Sequence, residues 1–208
     1  MASERCIMDV IRKRVPDHNL LGEESGLVDN RSDYTWVIDP LDGTSNYAAG
    51  IPWFGVLIAV FKEREPVVAG AYLPMQDIVY LAEKGKGCFI NNDKAVMRTI
   101  GLHESLFAFS TDFTADEHEL KAGIAWYKYV LKNVRNVRST NSLVDMMLVL
   151  EGKLGGCINL FTRIWDVAAP YLLLKEAGGV MTGLTGSPLE FDLSSKGLKK
   201  NYPIICGP

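Results

Sequence analysis

The sequence predicts an α/β fold whose first half is of α+β type. In the first half, four strand-like runs follow one another with only short turn-forming segments between them. Such short connections are typical of antiparallel strands, because parallel neighbours need a long crossover. In the second half, helical patterns alternate with short strand-like runs, which indicates layers of helices packed on sheet.

The first half begins with a helix and continues into strands. Apolar residues recur at helical spacing from Ile7 to Ile11, and Pro16 ends that helix. Residues 22–33 are polar and rich in turn formers, which predicts a loop. Four runs that follow are expected to be strands: Tyr34–Asp39, Phe54–Lys62, Val67–Leu73 and Ile78–Ala82.

The second half contains three predicted helices. Residues 114–117, T-A-D-E, match a capping box, and an apolar stripe continues that helix. The stripe consists of Leu120, Ile124, Tyr127 and Leu131. A helix over residues 143–150 and one over 165–177 follow, the last ended by the glycine pair 178–179. Short strands are expected within residues 133–138 and 156–160.

Composition and charge argue against several classes of protein. The chain has 208 residues, 48% hydrophobic and 23% charged, as in an ordinary globular protein rather than a disordered one. The net charge of −3, without any basic block, argues against nucleic acid or an anionic membrane as partner. The four cysteines are scattered and form no C-x-x-C pair, which argues against a disulfide framework or a zinc site. The longest apolar run, residues 53–61, is too short to span a bilayer. With no secretory hydrophobic region at the start, we expect a cytoplasmic protein.

Residues 36–46, W-V-I-D-P-L-D-G-T-S-N, contain the most informative chemistry. An apolar strand leads into Asp39 and Asp42, whose carboxylates would raise each other's pKa unless a cation neutralised them. Oxygen ligands favour Mg²⁺, Mn²⁺ or Ca²⁺ over zinc. Backbone N–H groups from Gly43 onward could hold a phosphate if a helix starts there. Asp-Pro and Asp-Gly pairs are also ordinary turn material, so a simple turn remains the alternative.

Two further acidic positions have ordinary explanations when taken alone. Glu23 lies in an acidic pair within a polar loop, which is usually a solvated surface. Asp166 opens a predicted helix, where an N-cap is the default role. The three histidines lie in polar settings, so the sequence does not indicate a Ser/His/Asp triad.

Taken together, three segments resemble the inositol monophosphatase family of Mg²⁺-dependent, lithium-sensitive sugar phosphatases. They are G-E-E-S at residues 22–25, D-P-L-D-G-T-S-N at 39–46, and W-D-V-A-A at 165–169 with E-A-G-G at 176–179. The order and spacing of all three agree with the family's pattern. The resemblance implies a five-layered αβαβα sandwich and a homodimer. We expect residues 1–105 to form an N-terminal α+β subdomain with the metal-binding loop, and 106–208 a C-terminal α/β subdomain, together one compact catalytic unit.

The resemblance also implies a set of metal ligands. Glu23, Asp39 and the backbone carbonyl of Leu41 would hold a first Mg²⁺. Asp39, Asp42 and Asp166 would hold a second ion, with Asp39 bridging the two. A third, weaker ion would depend on Glu23, and Mn²⁺ is a possible replacement for Mg²⁺ throughout.

The remaining implied roles concern the substrate. Thr44, with Glu23 and Asp39, would be catalytic, because Thr44 would orient the metal-activated water that attacks phosphorus. The N–H groups of Gly43 and Thr44 would bind the phosphate, with Ser45 beside them. Asp166 would also face a substrate hydroxyl.

The chain departs from the family's pattern at several positions. Family members usually carry a Thr-x-x-Asp turn before the helix that opens here at Ala2, and its aspartate partners the threonine. We therefore expect either a shortened chain or weaker activation of the water. Upstream of Asp166, where inositol-selective members have an acidic residue, this sequence has Asn159, Leu160 and Arg163, and Asn141-Ser142 stands where a Gly-Thr pair is common.

These residues favour Mg²⁺-dependent hydrolysis of a phosphate monoester of a small polyol or sugar, as in an inositol monophosphatase. Fructose 1,6-bisphosphate, histidinol phosphate and 3′-phosphoadenosine phosphate are alternative substrates within the family. A catalytically weak metal-binding or regulatory protein is the alternative from another class, because the N-terminal aspartate has no counterpart here.

Overall fold

The computed structural model describes residues 2–208 and contains two sheets with helices on and between them. The helices are α1 (Ala2–Arg14), α2 (Thr44–Ala48), α3 (Glu117–Asn133), α4 (Leu143–Leu150) and α5 (Ile164–Glu176). The α/β class expected from the sequence is confirmed. Among the helices in these 207 positions, none has the length and apolar character needed to cross a bilayer.

The first sheet has eight strands and uses residues from 19 to 95. They are β1 (Asn19–Gly22), β2 (Gly26–Val28), β3 (Tyr34–Asp42), β4 (Gly55–Lys62), β5 (Glu65–Leu73), β6 (Ile78–Glu83), β7 (Gly87–Ile90) and β8 (Asp93–Ala95). From β3 to β8 each strand pairs antiparallel with the next, as the short connections predict. Only β1 and β3 pair parallel among the described strands of this sheet.

The second sheet has five strands in the order β10-β9-β11-β13-β12. They are β9 (Leu106–Ser110), β10 (Asn136–Arg138), β11 (Cys157–Asn159), β12 (Val180–Gly183) and β13 (Ile204–Gly207). Strand β9 pairs parallel with both β10 and β11, and the connecting segments carry α3 and α4. This matches the rule that parallel neighbours need long, usually helical, crossovers.

The layers stack in the order α, β, α, β, α, which is the five-layered sandwich expected from the resemblance. Helix α1 covers one face of the first sheet through Met8 and Ile11. Helices α4 and α5 fill the space between the two sheets with side chains that are almost completely buried. Helix α3 lies on the outer face of the second sheet and contacts it through Val130.

Strand β2 lies within the segment that the sequence predicts as a loop, so that prediction is wrong in part. Residues 26–28 pair antiparallel with β1 after a tight turn. Gly26 has a φ of 73°, a left-handed conformation that glycine adopts without strain. The loop reading fails because backbone pairing with β1, rather than any apolar pattern, makes this three-residue strand.

Helix α3 differs from its sequence prediction at its start and in its exposed surface. The helix begins at Glu117, and Asp116 is the N-cap that accepts hydrogen bonds from the N–H groups of His118 and Glu119. Thr114 lies outside the helix and donates to the Glu119 side chain instead. The apolar stripe that predicted the helix is largely exposed to solvent, because α3 is held to the sheet mainly by Val130 and Trp126, although the Tyr127 ring also contacts Phe109 of β9.

Candidate functional site

Asp39 and Asp42 reach the same point because β3 contains a bulge. In a regular strand, residues three apart point to opposite faces. The pairing of β3 with β4 shifts register between Asp39 and Asp42, where Pro40 contributes no N–H to the ladder. Both side chains are buried, with exposures of 2% and 9%. Asp39 Oδ1 also accepts a hydrogen bond from the N–H of Leu41 at 3.0 Å, which stabilises the bulged conformation.

Two helix starts complete the carboxylate group. Asp42 Oδ1 accepts the N–H of Leu143, the first residue of α4, at 2.6 Å. Asp166 lies in the first turn of α5 and accepts the N–H of Arg163 at 2.5 Å. Asp166 therefore stabilises its helix as a capping residue and still points a carboxylate into the site.

Three carboxylates form a compact group that could hold a metal ion. One oxygen from each of Asp39, Asp42 and Asp166 lies within 4.8 Å of the others. Glu23, directly after β1, is exposed and lies beside this group, with its side chain interacting with that of Asp39. The structure thus brings together all four acidic residues that the sequence singles out, with Glu23 at the edge.

The electrostatics of the group indicate an uncompensated negative charge. Burial raises the pKa of Asp39 and Asp42 well above the ordinary value, and the neighbouring carboxylates raise both further. Burial likewise raises the pKa of Asp166 to about 6, although the Arg163 N–H lowers it in part. Burial and the nearby Glu24 raise the pKa of Glu23. Oxygen-only ligands of this charge fit Mg²⁺ or Mn²⁺, so the residues present suit the expected cofactor.

Gly43 is the residue that lets α2 begin directly beside the carboxylates. Its φ is 79°, and an added Cβ would lie 2.5 Å from the Trp53 carbonyl oxygen, so no other residue fits without strain. Helix α2 starts at Thr44, and the first N–H groups of a helix have no partner within it. The N–H groups of Thr44 and Ser45 are therefore available to an anion at this edge of the site.

Thr44 and Leu41 interact directly. The Thr44 hydroxyl is exposed and donates to the Leu41 carbonyl oxygen at 2.9 Å. That carbonyl is the one the resemblance assigns to a metal, and carbonyl oxygens have two lone pairs. The hydroxyl of Thr44 thus lies next to the proposed ligand set rather than pointing away from it.

A pocket of about 160 Å³ joins these parts. Its lining includes five of the predicted site residues: Asp42, Gly43, Thr44, Ser45 and Asp166. A larger cavity of about 1210 Å³ lies between the turn at Arg64 and residues 189–195, and no predicted site residue lines it. We assign the chemistry to the smaller pocket, because the titratable groups with raised pKa values converge there.

Several polar residues of the pocket were not identified from the sequence as site residues. Asp112, Asn141 and Asn159 line it, together with Ser142, Met146 and Phe161. Asn141 donates to Asp112 at 2.8 Å, which joins the loop after β9 to the loop before α4. Proximity of loops distant in sequence is a tertiary property, so no local pattern marks these residues.

The Asn141-Ser142 pair preserves the backbone geometry expected of a Gly-Thr pair. Asn141 has a φ of 50°, in the left-handed region that asparagine tolerates better than most residues. Ser142 is the N-cap of α4 and accepts the N–H of Val144, as a threonine would. This departure from the family's pattern is therefore structurally conservative.

Hydrogen bonds to the Asp145 carboxylate hold the loop before α4 in place. Its carboxylate is 1% exposed and accepts hydrogen bonds from the Ser110 hydroxyl and from the N–H groups of Thr140 and Asn141. Nothing in the local sequence pattern distinguishes Asp145 from an ordinary acidic residue of a helix.

Arg163 turns away from the pocket lining and donates to the Lys199 carbonyl at 2.6 Å.

Comparisons with known proteins find similar sequences and structures along most of the chain. The family model described as the inositol monophosphatase family matches residues 1–202. A relative from Aquifex aeolicus, named fructose-1,6-bisphosphatase/inositol-1-monophosphatase, is 36% identical over 190 residues, which cover 89% of this chain and 70% of the relative. Escherichia coli K12 has a relative named Nus factor SuhB, 35% identical over 188 residues with the same coverage.

Solved structures agree with the sequence relatives. The inositol monophosphatase from Anabaena (Nostoc) sp. PCC 7120 has a TM-score of 0.87 and 30% identity, covering 99% of this chain and 79% of that one. The extragenic suppressor protein suhB from Bartonella henselae has a TM-score of 0.84 and 28% identity, covering 98% of this chain and 80% of its own.

The raised carboxylate pKa values predict how stability depends on pH without metal. Between the ordinary pKa near 4 and the folded value of about 6 for Asp166, the folded state keeps a proton that the unfolded state has released. In EDTA, the free energy of unfolding should therefore fall as pH rises through this range. Asp42→Asn should be more stable than wild type by about 2 kcal/mol at pH 7 and by less at pH 4, because one buried charge is gone. Urea unfolding at both pH values measures this, and equal gaps would contradict it.

Asp145 should contribute to stability far more than an exposed acid of the same pocket region. Asp145→Ala leaves three donors without their acceptor and should cost about 3 kcal/mol of unfolding free energy. Asp112→Ala removes one hydrogen bond on an exposed side chain and should cost less than about 1 kcal/mol. Similar losses for both variants in urea unfolding would show that the buried network is not what holds this loop.

Proposed function

The chain belongs to the inositol monophosphatase family, and from that membership we propose that it hydrolyses a phosphate monoester of a small polyol or sugar in a Mg²⁺-dependent reaction. The supporting observation is the convergence of the carboxylates of Asp39, Asp42 and Asp166, two of which, Asp42 and Asp166, line a pocket beside the start of α2. Anionic ligands for a metal and amide donors for a phosphate therefore lie next to each other on the wall of a single cavity.

The carboxylates have the first role in this proposal. Asp39, Asp42 and Asp166 would hold Mg²⁺, and Glu23 with the Leu41 carbonyl would extend the ligand set for further ions. Mg²⁺, when bound, lowers the pKa of a water molecule and offsets the charge of the phosphate and of the leaving oxygen. The hydrogen bonds from Leu143 and Arg163 keep two of the carboxylates aimed at the site before any ion arrives.

The start of α2 has the second role. The N–H groups of Gly43 and Thr44 would bind phosphate oxygens, with Ser45 beside them on the pocket wall. The Thr44 hydroxyl, placed at the same edge, would orient the attacking water so that it lies in line with the leaving group. The attack transfers the phosphoryl group to water, and the alcohol leaves with a proton.

The rest of the pocket supports the proposed substrate class. Asp112, Asn141 and Asn159 supply acceptors and amide donors suited to the hydroxyl groups of a polyol or sugar, and Asp166 would face one of them. The relative named fructose-1,6-bisphosphatase/inositol-1-monophosphatase supports phosphates of this class. Arg163 adds no cation to the pocket lining, so a second phosphate is not favoured by the residues described.

A regulatory protein is the second candidate function. The observation that favours it is the name Nus factor SuhB on relatives with 34–35% identity. In that case the metal site would support the fold rather than turnover. The net charge of −3 still leads us to propose a small phosphorylated ligand rather than nucleic acid as the direct partner of this pocket.

Phosphate release with and without Mg²⁺ tests the proposal directly. The substrates are inositol 1-phosphate, fructose 1,6-bisphosphate, histidinol phosphate and 3′-phosphoadenosine phosphate. Asp42→Asn should lower Mg²⁺-dependent turnover by about 1,000-fold, because an anionic ligand is lost while the acceptor for the Leu143 N–H remains. Asp9→Asn, an exposed acid on α1, is the control and should have wild-type activity.

The outcomes separate the two candidate functions. Mg²⁺-dependent release that the Asp42→Asn change abolishes supports the phosphatase and ranks its substrates. No release from any substrate, with Mg²⁺ binding still detected by calorimetry, supports the regulatory function. Full activity of Asp42→Asn would exclude the proposed ligand set.

Thr44→Ala should slow turnover without weakening the metal site. Loss of the hydroxyl removes the group that orients the water, so we expect kcat to fall by about 10- to 100-fold. Thr44→Ser keeps a hydroxyl and should recover most of that loss. Calorimetric Mg²⁺ titration should give the same affinity for all three proteins, and a parallel fall in affinity would assign Thr44 to ion binding instead.

A further inference from the structure

The first turn of α1 contacts the turn that carries Glu23. Glu4 lies in that first turn and is 4% exposed, because its carboxylate points at the backbone after β1. Glu4 Oε2 accepts the N–H of Glu24 at 3.0 Å, and Glu4 Oε1 accepts the N–H of Ser25 at 2.9 Å. Both donors directly follow Glu23 in the chain. The Glu4 carboxylate therefore holds the turn from which the Glu23 side chain extends.

The close approach of α1 to this turn depends on Gly22. A Cβ at position 22 would lie 2.6 Å from Glu4 Oε2 and 2.7 Å from Cε of Met8. The Glu4 carboxylate is tied by two N–H groups and Met8 is 3% exposed, so moving either one aside would cost contacts. The backbone that leads into Glu23 and the first turns of α1 therefore fit together closely.

The neighbouring residue of α1 contacts the second loop of the site. Ser3 Oγ donates to the carbonyl oxygen of Pro40 at 2.9 Å, within the bulge of β3. The N–H of the same peptide group, that of Leu41, donates to Asp39 Oδ1. This peptide group is thus held at its C=O and at its N–H, directly before the Leu41 carbonyl.

The contacts of α1 begin where the pairing of the two strands ends. The parallel register of β1 with β3 ends at Gly22 and Ile38, and the N–H of Glu23 adds one more bond, to the Ile38 carbonyl at 3.3 Å. Beyond this point Glu4 contacts one chain and Ser3 contacts the other. Because the two residues are adjacent on one helix, they couple the positions of the two loops.

We propose that the first turn of α1, Ser3 with Glu4, has a positioning role in the metal site. It sets the distance between Glu23 and the bulge from which Asp39 and the Leu41 carbonyl reach the site. The inference rests on the proposed function, because it concerns the ligand set for Mg²⁺. Both residues act through the backbone beside a ligand, and loss of such outer contacts changes metal affinity by about 10- to 100-fold.

Calorimetric titration of the full chain with Mg²⁺ tests the proposal without relying on turnover. Glu4→Gln keeps the size of the side chain but sets an amide donor against a backbone N–H, so Mg²⁺ affinity should fall by about 10- to 100-fold. Ile11→Ala, a buried change on the same helix within the cluster of Leu20 and Ile38, is the matched control. It should destabilise the fold to urea in EDTA and leave Mg²⁺ affinity unchanged. Asp9→Asn, an exposed acid of α1, controls for the lost charge.

A double-mutant cycle tests whether Glu4 acts through Glu23. Glu23→Gln alone should weaken Mg²⁺ binding. Adding Glu4→Gln to it should weaken binding by less than about twofold more, because the ligand that Glu4 positions is already lost. A full second loss in the double variant, wild-type affinity in Glu4→Gln, or an equal fall in affinity in Ile11→Ala would overturn the positioning role.

Ser3 provides a second test at an exposed position, where the fold tolerates change. Ser3→Ala removes one hydrogen bond and should weaken Mg²⁺ affinity by about fivefold, whereas Ser3→Thr keeps the hydroxyl and should restore it. Equal affinities in both variants would overturn the contact to the bulge as part of the role.

The failure of this inference is distinguishable from the failure of the proposed function. In phosphate-release assays, Glu4→Gln should need more Mg²⁺ to reach its maximal rate, with kcat at saturating Mg²⁺ close to that of wild type. Calorimetric losses as described, without phosphate release by wild type, would contradict the phosphatase and support the positioning role. Phosphate release with an unchanged Mg²⁺ requirement in Glu4→Gln would support the phosphatase and overturn the positioning role.

Discussion

The withdrawal of three converging carboxylates from water is the constraint on which the architecture of this site depends. Asp39, Asp42 and Asp166 have oxygens within 4.8 Å of one another, although burial raises the pKa of all three and neighbouring carboxylates raise the pKa of Asp39 and Asp42 further. Such a group persists only where the backbone determines the positions of all three. Three separate parts of the chain fix these positions: the bulge in β3, the start of α4 and the start of α5.

Backbone N–H groups are the means by which the fold holds these charges. Each carboxylate accepts one: Asp39 from Leu41, Asp42 from Leu143, and Asp166 from Arg163. These bonds lower the three pKa values in part and fix the direction of each side chain. They do not remove the repulsion between the carboxylates. Binding of a cation would relieve that repulsion and is therefore favoured. A ligand set organised in advance in this way binds a metal without first having to fold around it.

The fold class and the acidic residues of the site could both be predicted from the sequence, but for different physical reasons. Short turns between apolar runs are a local property, so antiparallel pairing from β3 to β6 could be predicted. The resemblance supplied Glu23 and Asp166, because no local rule distinguishes them from a solvated acid or an N-cap. The convergence of Asp39 and Asp42 requires a bulge, which depends on pairing with β4. Asp112 and Asp145 escaped prediction since their roles exist only after distant loops meet.

The stripe on α3 shows why amphipathicity alone does not locate a core. Helical periodicity correctly predicted a helix there, and the usual inference is that the apolar side faces the protein. Here Val130 and the ring of Trp126 pack against the sheet and the Tyr127 ring contacts Phe109, while Leu120, Ile124 and Leu131 are largely exposed. Apolar periodicity shows that one side of a helix is more stable when removed from water, but it does not show which part of the protein, or which other molecule, covers that side.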